Sequence, residues 1–253
     1  MIQDPLFYLA AIFAVMIAGI SKGGFGGGIG VMAVPLMSLV IPPFQAAAIM
    51  LPILCVMDLA SLKAFWKRWD NRNLRIMLPG AVLGIMVGFI TYRWVSDDHL
   101  RVLIGIIAVA FALNYYMNKA SNTATPTPAR WSKGVFWSTI SGFTSFSAHA
   151  GGPPMNLYLL PQRLDKTLFV GTTVVFFTVV NYVKLVPYAL LGQFDTTNLM
   201  TALALSPVAI IGVYTGYWLH TRIPLAQFYR ICYAFLIITG GRLLYQGASN
   251  LWF

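Results

Sequence analysis

Apolar stretches near 6–20, 29–41, 44–64, 74–95, 99–118, 133–149, 154–162, 167–191, 197–219 and 225–246 fill almost the whole chain between short charged marks. A bilayer core takes about 20 apolar residues per helical span, so a chain of 253 residues has room for about eight membrane segments and no soluble domain. Only 9% of the residues are charged, against roughly a quarter in an ordinary soluble domain. The formal charge of +10 is scattered through short loops and builds no dense basic face, which argues against a nucleic-acid partner. It suits contact with an anionic membrane leaflet, so the lipid bilayer is the first partner expected. Cys55 and Cys232 lie far apart in apolar runs and suggest neither a disulfide framework nor a metal site. Asp4 stands where a signal peptide needs basic residues, so the first apolar run is expected to stay in the mature protein.

Six of the stretches are long enough to cross alone. The other four form two pairs, each interrupted by a glycine-rich stretch: Gly19 to Gly28 in the first pair, Ser145 to Pro154 in the second. Continuous helix is not expected through either interruption. Residues 119–132 are a polar, Pro/Thr-rich linker that divides the chain into membrane repeats 1–118 and 133–253. These halves resemble each other. With Gly19 set against Gly142, Gly28 falls on Gly151 and Asp58 on Asn181. With two small gaps Asn73 meets Asn198, Pro79 meets Pro207, and the Gly84/Gly88 pair meets Gly212/Gly216.

Loop charge sets the orientation of the copies. The loop after the first long helix carries Lys63, Lys67, Arg68, Arg72 and Arg75 against Asp70, whereas its counterpart carries only Asp195. Equivalent loops therefore face opposite sides, which needs an odd number of crossings per half. Three full helices plus one re-entrant pair satisfy that count. With the N-terminus outside, loops 63–75, 119–133 and 163–166 and Arg222 are expected inside, and Asp4, 42–43, 93–101 and 195 outside. Eight simple crossings would instead put Arg163 and Lys166 outside, so the rule favours the inverted arrangement. The fold expected is an all-α integral membrane protein of two inverted repeats.

Glycine-broken backbone at membrane depth survives only when packed in protein or lining a watery cavity. Half-helices starting near Gly28 and Pro154 would aim their N-terminal amides into that cavity, a preference for anions. An unpaired ion at the bilayer centre costs at least ~3 kcal/mol, so Lys22, Asp58, His149 and Lys184 call for a reason to be there. Lys22 and Lys184 together suit a small anion. Snorkelling to an interface would explain Lys22 otherwise, and pairing with Asp58 would explain Lys184. Asp58 is a candidate for a coupling proton, or a packing residue bonded to hydroxyls such as Ser61 and Ser38. His149 could donate to substrate or carry a proton. Ser21, Ser145 and Ser147 are oxyanion donors, while Gly24, Gly26, Gly27, Gly28, Gly151 and Gly152 allow close approach to backbone. Asn181 and Tyr188 complete the candidate site with Lys184.

Ala18 to Gly28 followed by Val34-Pro35-Leu36, and later Gly151-Gly152-Pro153-Pro154, Tyr158-Leu159-Leu160, Phe169-Val170-Gly171-Thr172 and Asn181-x-x-Lys184-x-x-x-Tyr188, resemble the two halves of the sulfite exporter TauE/SafE family. His149 is a departure, in place of a simpler glycine-rich run. The resemblance implies a secondary transporter for sulfite or an organosulfonate such as sulfoacetate, in the bacterial inner membrane, with no cofactor. A passive anion channel is the nearest alternative. A membrane-embedded enzyme lacks support, since the chain has no glutamate, no H-E-x-x-H and no G-x-S-x-G. The partners expected are a small anionic substrate and the bilayer, with a homodimer left open.

Overall fold

A computed structural model describes residues 2, 4–26, 30–117, 126–222 and 225–252. Among these the regular structure is helical throughout: α1 (Pro5–Gly24), α2 (Ala33–Met37), α3 (Pro43–Ala64), α4 (Asn71–Thr91), α5 (Asp97–Met117), α6 (Trp131–Ala148), α7 (Gly152–Leu159), α8 (Lys166–Leu190), α9 (Thr196–Arg222) and α10 (Leu225–Trp252). Among the described residues five spans are long and apolar enough to cross a membrane: Pro5–Gly24, Pro43–Ala64, Asn71–Trp94, Lys166–Leu190 and Thr196–His220. Four of these are among the six segments expected to cross alone. The fifth, α1, was expected to be one limb of a broken pair. The helices α5 and α10, also expected to cross, run for 21 and 28 residues.

The two breaks are narrower than their glycines suggest. Helix α1 continues through Gly19, Ser21, Lys22 and Gly23 to Gly24, and α6 continues through Ser145 to Ala148. Tertiary packing overrides glycine's weak helix propensity there, because these glycines receive the backbone of another helix. A Cβ on Gly19 would stand 2.9 Å from the Cα of Gly212, and one on Gly23 would strike the Val213 carbonyl. One on Gly142 would strike the Ala81 carbonyl, and one on Gly84 the Thr139 carbonyl. The small-residue stripes Gly84/Gly88 and Gly212/Gly216 thus admit close helix approach. What ends each helix is local backbone. Gly26 adopts φ +70° after α1, and His149 adopts the left-handed conformation, φ 51°, after α6. Beyond the breaks lie a helix of five residues, α2, and one of eight, α7. At 1.5 Å per residue neither could cross alone.

Pairing of the long helices exchanges the halves. Helix α1 lies along α9 and α6 lies along α4, while α5 pairs with α10. Aspartates set the ends of several helices: Asp4 caps α1, Asp70 caps α4 and Asp165 caps α8, and Asp195 accepts from the Asn198 amide at the start of α9. Side-chain oxygens on these first-turn amides each contribute about 1 kcal/mol. Behind the caps, Asn73 exchanges hydrogen bonds with Gln162 of the second half. Its counterpart Asn198 accepts from Gln45 of the first.

Contacts also fix which segments share an end of the bundle. Thr127, ahead of α6, donates its amide to the Pro161 carbonyl after α7 at 3.0 Å. Arg72 reaches the Ala129 carbonyl, the Asp70 amide reaches Thr172, and Lys166 reaches the His220 carbonyl. At the other end the Ile2 amide donates to Thr201 and Gln193 to the Tyr92 hydroxyl.

Close approach at Gly84 should be sensitive to bulk. Gly84→Val forces α4 away from Thr139 and is expected to cost about 1–3 kcal/mol, the range for overpacking. At Gly241, where an added Cβ meets nothing within 4 Å, the same change should be near neutral. Thermal unfolding of the two detergent-purified variants beside the parent measures the difference; equal midpoints would remove the packing role assigned to Gly84.

Candidate functional site

Helix α8 carries a polar stripe at helical spacing, Thr178, Asn181, Lys184 and Tyr188, through an otherwise apolar sequence. Residues three or four apart share a helix face, and this face looks onto the ends of the two interrupted helices. Lys184 is fully buried. Its Nζ donates to the Ser145 carbonyl and Oγ, each at 3.0 Å, and to His149 Nδ1 at 2.8 Å. His149 Nε2 in turn lies 2.9 Å from the Ala47 carbonyl in α3. A carbonyl only accepts, so the ring proton belongs on Nε2, leaving Nδ1 to accept from the ammonium. The imidazole in this geometry is neutral. The ammonium sits at the C-terminal end of α6, where the helix dipole is negative and the last carbonyls lack helical partners.

On the other side, Lys22 lies in the last turn of α1, again at a helix C-terminus. Its Nζ is 2.6 Å from Asp58 Oδ1 and donates to the Leu54 carbonyl at 3.3 Å. Asp58, fully buried, accepts further from Thr178 Oγ1 at 3.0 Å and from Asn181 Nδ2 at 2.8 Å. Three donors and no acceptor suit an ionised carboxylate. The sequence alternatives are corrected here: Asp58 pairs with Lys22 and not with Lys184, and Ser61 and Ser38 are not its partners, for both hydroxyls are buried without one. Nor does Lys22 snorkel, being 6% exposed. Among the described residues no carboxylate lies within ion-pair distance of Lys184. With Lys22 and Asp58 cancelling, the cluster is left with one positive charge.

Between these groups is a cavity of about 40 Å³ whose wall includes Lys22, Gly30, Ser145, His149, Gly152 and Asn181, room for about three waters at the ~10–15 Å³ each requires. Residues of both breaks therefore meet around one space. Gly152 opens α7, bringing that helix's first turn to the wall. Lys184 stands behind Ser145 and His149, and Asp58 behind Lys22 and Asn181.

Other candidates fall elsewhere. Ser21 Oγ accepts from the Gly30 amide at 3.0 Å and so ties the first break together. Gly24 packs on the Gly216 carbonyl, and an added Cβ at Gly26 would stand 2.6 Å from the Phe169 ring. Gly151 presses on α6, where a Cβ would come 2.7 Å from the Ser141 carbonyl, and its own carbonyl accepts from Ser141 Oγ. A bulky residue at Gly151 would thus disturb packing whether or not a ligand binds. Ser147 donates to the Phe143 carbonyl and, with Tyr188, lines a separate aromatic cavity that also takes in Phe44, Tyr92, Phe143 and Phe146. Tyr188 donates to the Phe146 carbonyl at 2.6 Å and stacks on His149, so it braces the site from behind. Gly27 and Gly28 lie outside the described residues. Thr178 and the Ala47 carbonyl were missed; Thr178 was findable as the next member of the Asn181/Lys184 stripe, whereas a backbone acceptor leaves no mark in sequence.

The sequence profile of the family described as sulfite exporter TauE/SafE matches residues 11–243. The chain belongs to the sulfite exporter TauE/SafE family. It is therefore a multi-pass membrane protein of a family of anion transporters, and the positive cluster at its centre has a sign that fits TauE/SafE cargo. Neither a curated protein nor a solved structure matches significantly.

The ion pair predicts a double-mutant signature. Lys22→Met leaves the Asp58 carboxylate buried and unpaired and should cost about 3–5 kcal/mol, whereas adding Asp58→Leu should recover most of that loss. Thermal unfolding of the two single variants and the double variant tests it; additive losses would show that the pair is not coupled.

Proposed function

We propose that this protein is a secondary transporter that holds a sulfite or organosulfonate anion in the cavity between its two broken helices, the substrate contacted by Lys22, Ser145, His149, Gly152 and Asn181 and attracted by Lys184. One observation carries this reading: Lys184 is fully buried, yet all its hydrogen-bond partners are neutral. A buried cation without a counter-charge is costly, and an anion in the adjacent cavity supplies that charge only while bound. Binding is then strongest for the ligand that brings a compact negative group with several oxygens. A sulfonate or sulfite meets that description, and at the start of α7 Gly152 has a backbone N–H to offer, the next two residues, Pro153 and Pro154, having none. Asp58, joined to the cavity through Lys22 and Asn181, is the residue we assign to a coupling proton.

The same reading makes the two halves inverted repeats with a re-entrant pair in each, in a bacterial inner membrane. Two observations support it. The hydrogen bond from Thr127 to Pro161 joins the segment before α6 to the segment after α7, as a hairpin entering and leaving by one face requires. Asn181 and Asp58, equivalent by sequence register, touch each other, as residues beside a two-fold pseudo-axis do.

Three measurements follow. In proteoliposomes, sulfite and sulfoacetate should be taken up in preference to sulfate and taurine, and an imposed pH gradient should change the rate; saturable counterflow separates a carrier from a channel. Lys184→Met, similar in size and uncharged, should lower anion affinity at least tenfold, about 1.4 kcal/mol, with the fold retained. Unchanged affinity in a folded Lys184→Met variant would sink the proposed site. For topology, a single cysteine near 164 should label from the cytoplasm and one near 196 from outside, on a background free of native cysteines; the reverse pattern contradicts the inverted arrangement.

A further inference from the structure

Tyr188 stands where two cavities approach each other. The wall of the central cavity includes Ser145 and His149, and that of the aromatic cavity includes Phe146, Ser147 and Tyr188 itself. The Tyr188 and His149 rings lie against each other, centroids 6.1 Å apart and planes 26° from parallel, so this ring pair stands between the two spaces. Phe146 packs its own ring on Tyr188 in a T-shape at 5.3 Å. From there the aromatic cavity runs on to Leu191 and Gln193 at the end of α8 and to Tyr92 and Val95 at the end of α4. These are half-buried residues at the end of the bundle that the loop charges assign to the outside. At about 30 Å³ the cavity holds about two waters at ~10–15 Å³ each, too little for a sulfonate to pass. It is a way out that is shut.

Two hydrogen bonds keep it so. Tyr188 Oη donates to the Phe146 carbonyl at 2.6 Å, and Gln193 Nε2 donates to the Tyr92 hydroxyl at 2.6 Å. The piece they hold is jointed at both ends. Pro187, just before the tyrosine, lies inside α8 and has no N–H to offer the carbonyl four residues back. Gly192, just after α8, takes φ +68° with nothing within 4 Å of the place a Cβ would occupy. The last turn of α8 therefore lies between a missing helical hydrogen bond and a glycine joint. We infer that Tyr188 is the outer gate of the anion pathway, an assignment that rests on the central cavity being the substrate site. When the bonds to the Phe146 carbonyl and the Tyr92 hydroxyl release, the tyrosine ring leaves His149 and the central cavity opens through the aromatic one to the outside. The hydroxyl freed from Phe146 is then a donor for the oxygens of the passing anion, so substrate competes with the latch.

The test uses the full chain, its native cysteines replaced, in right-side-out membrane vesicles, with an impermeant thiosulfonate reagent that itself carries a sulfonate. Ala18→Cys reports on the central cavity, whose wall includes Ala18, and Ser147→Cys reports on the aromatic one. Ala112→Cys, fully buried in α5, reports on general loosening. From outside, Ser147→Cys should be modified readily and Ala18→Cys slowly. Tyr188→Phe with Gln193→Ala should raise the Ala18→Cys rate at least about tenfold, and either change alone about threefold, as expected for two modest hydrogen bonds. The Ala112→Cys rate should stay where it was. Tyr182→Phe, which takes a hydroxyl from an exposed tyrosine of the same helix, should change nothing. An unchanged Ala18→Cys rate in the double variant, an equal rise at Ala112→Cys, or no reaction at Ser147→Cys would overturn the gate. Failure of the substrate site reads differently: Lys184→Met would then leave sulfite affinity intact, whatever the labelling rates.

Discussion

Charge that cannot reach water has to be answered by the protein itself, and Lys22, Asp58 and Lys184 impose that requirement on everything around them. Each lysine is seated at the C-terminal end of an interrupted helix, where the helix dipole is negative. Lys184 draws its acceptors from the end of α6, the Ser145 carbonyl and hydroxyl and His149 Nδ1, whereas Lys22 draws its own from α3, the Asp58 carboxylate and the Leu54 carbonyl. Asp58 then neutralises one cation and leaves the other, and this uneven division gives the centre its net sign.

Register between the halves shows how the asymmetry is built. The offset that places Asp58 on Asn181 places Lys22 on Ser145 and Ser61 on Lys184. In the first half the cation is on the interrupted helix and the hydroxyl on the long one; in the second half the two have changed places. Both lysines nonetheless lie at the end of an interrupted helix, Lys22 within its last turn and Lys184 reaching it from across the interface.

Much of this was legible beforehand. Long apolar runs and Pro/Gly punctuation located the helices, because span length and backbone restriction are properties of sequence alone. Buried charges identified most of the central cluster, since few reasons exist to place Lys22, Asp58 or Lys184 among apolar residues. Extent of the breaks was not legible: glycines at 19, 23 and 24 look like helix breakers until the helix that packs on them is known. Pairing failed for the same reason. Whether Asp58 meets Lys22 or Lys184 depends on how α1 and α8 flank α3, a long-range matter that local periodicity does not encode. Gly24, Gly26 and Gly151 illustrate it further, as a glycine beside a ligand and a glycine beside a helix read alike.

The exchange of partners between halves has a mechanical consequence. Glycine contacts at Gly19/Gly212 and Gly84/Thr139 bring backbones together with no side chain between them. Helix α1 is thereby tied to α9, and α6 to α4. The tightly packed pairs are therefore chimeras, each built from both halves of the polypeptide, and their seams join the two halves across the linker that divides them in sequence.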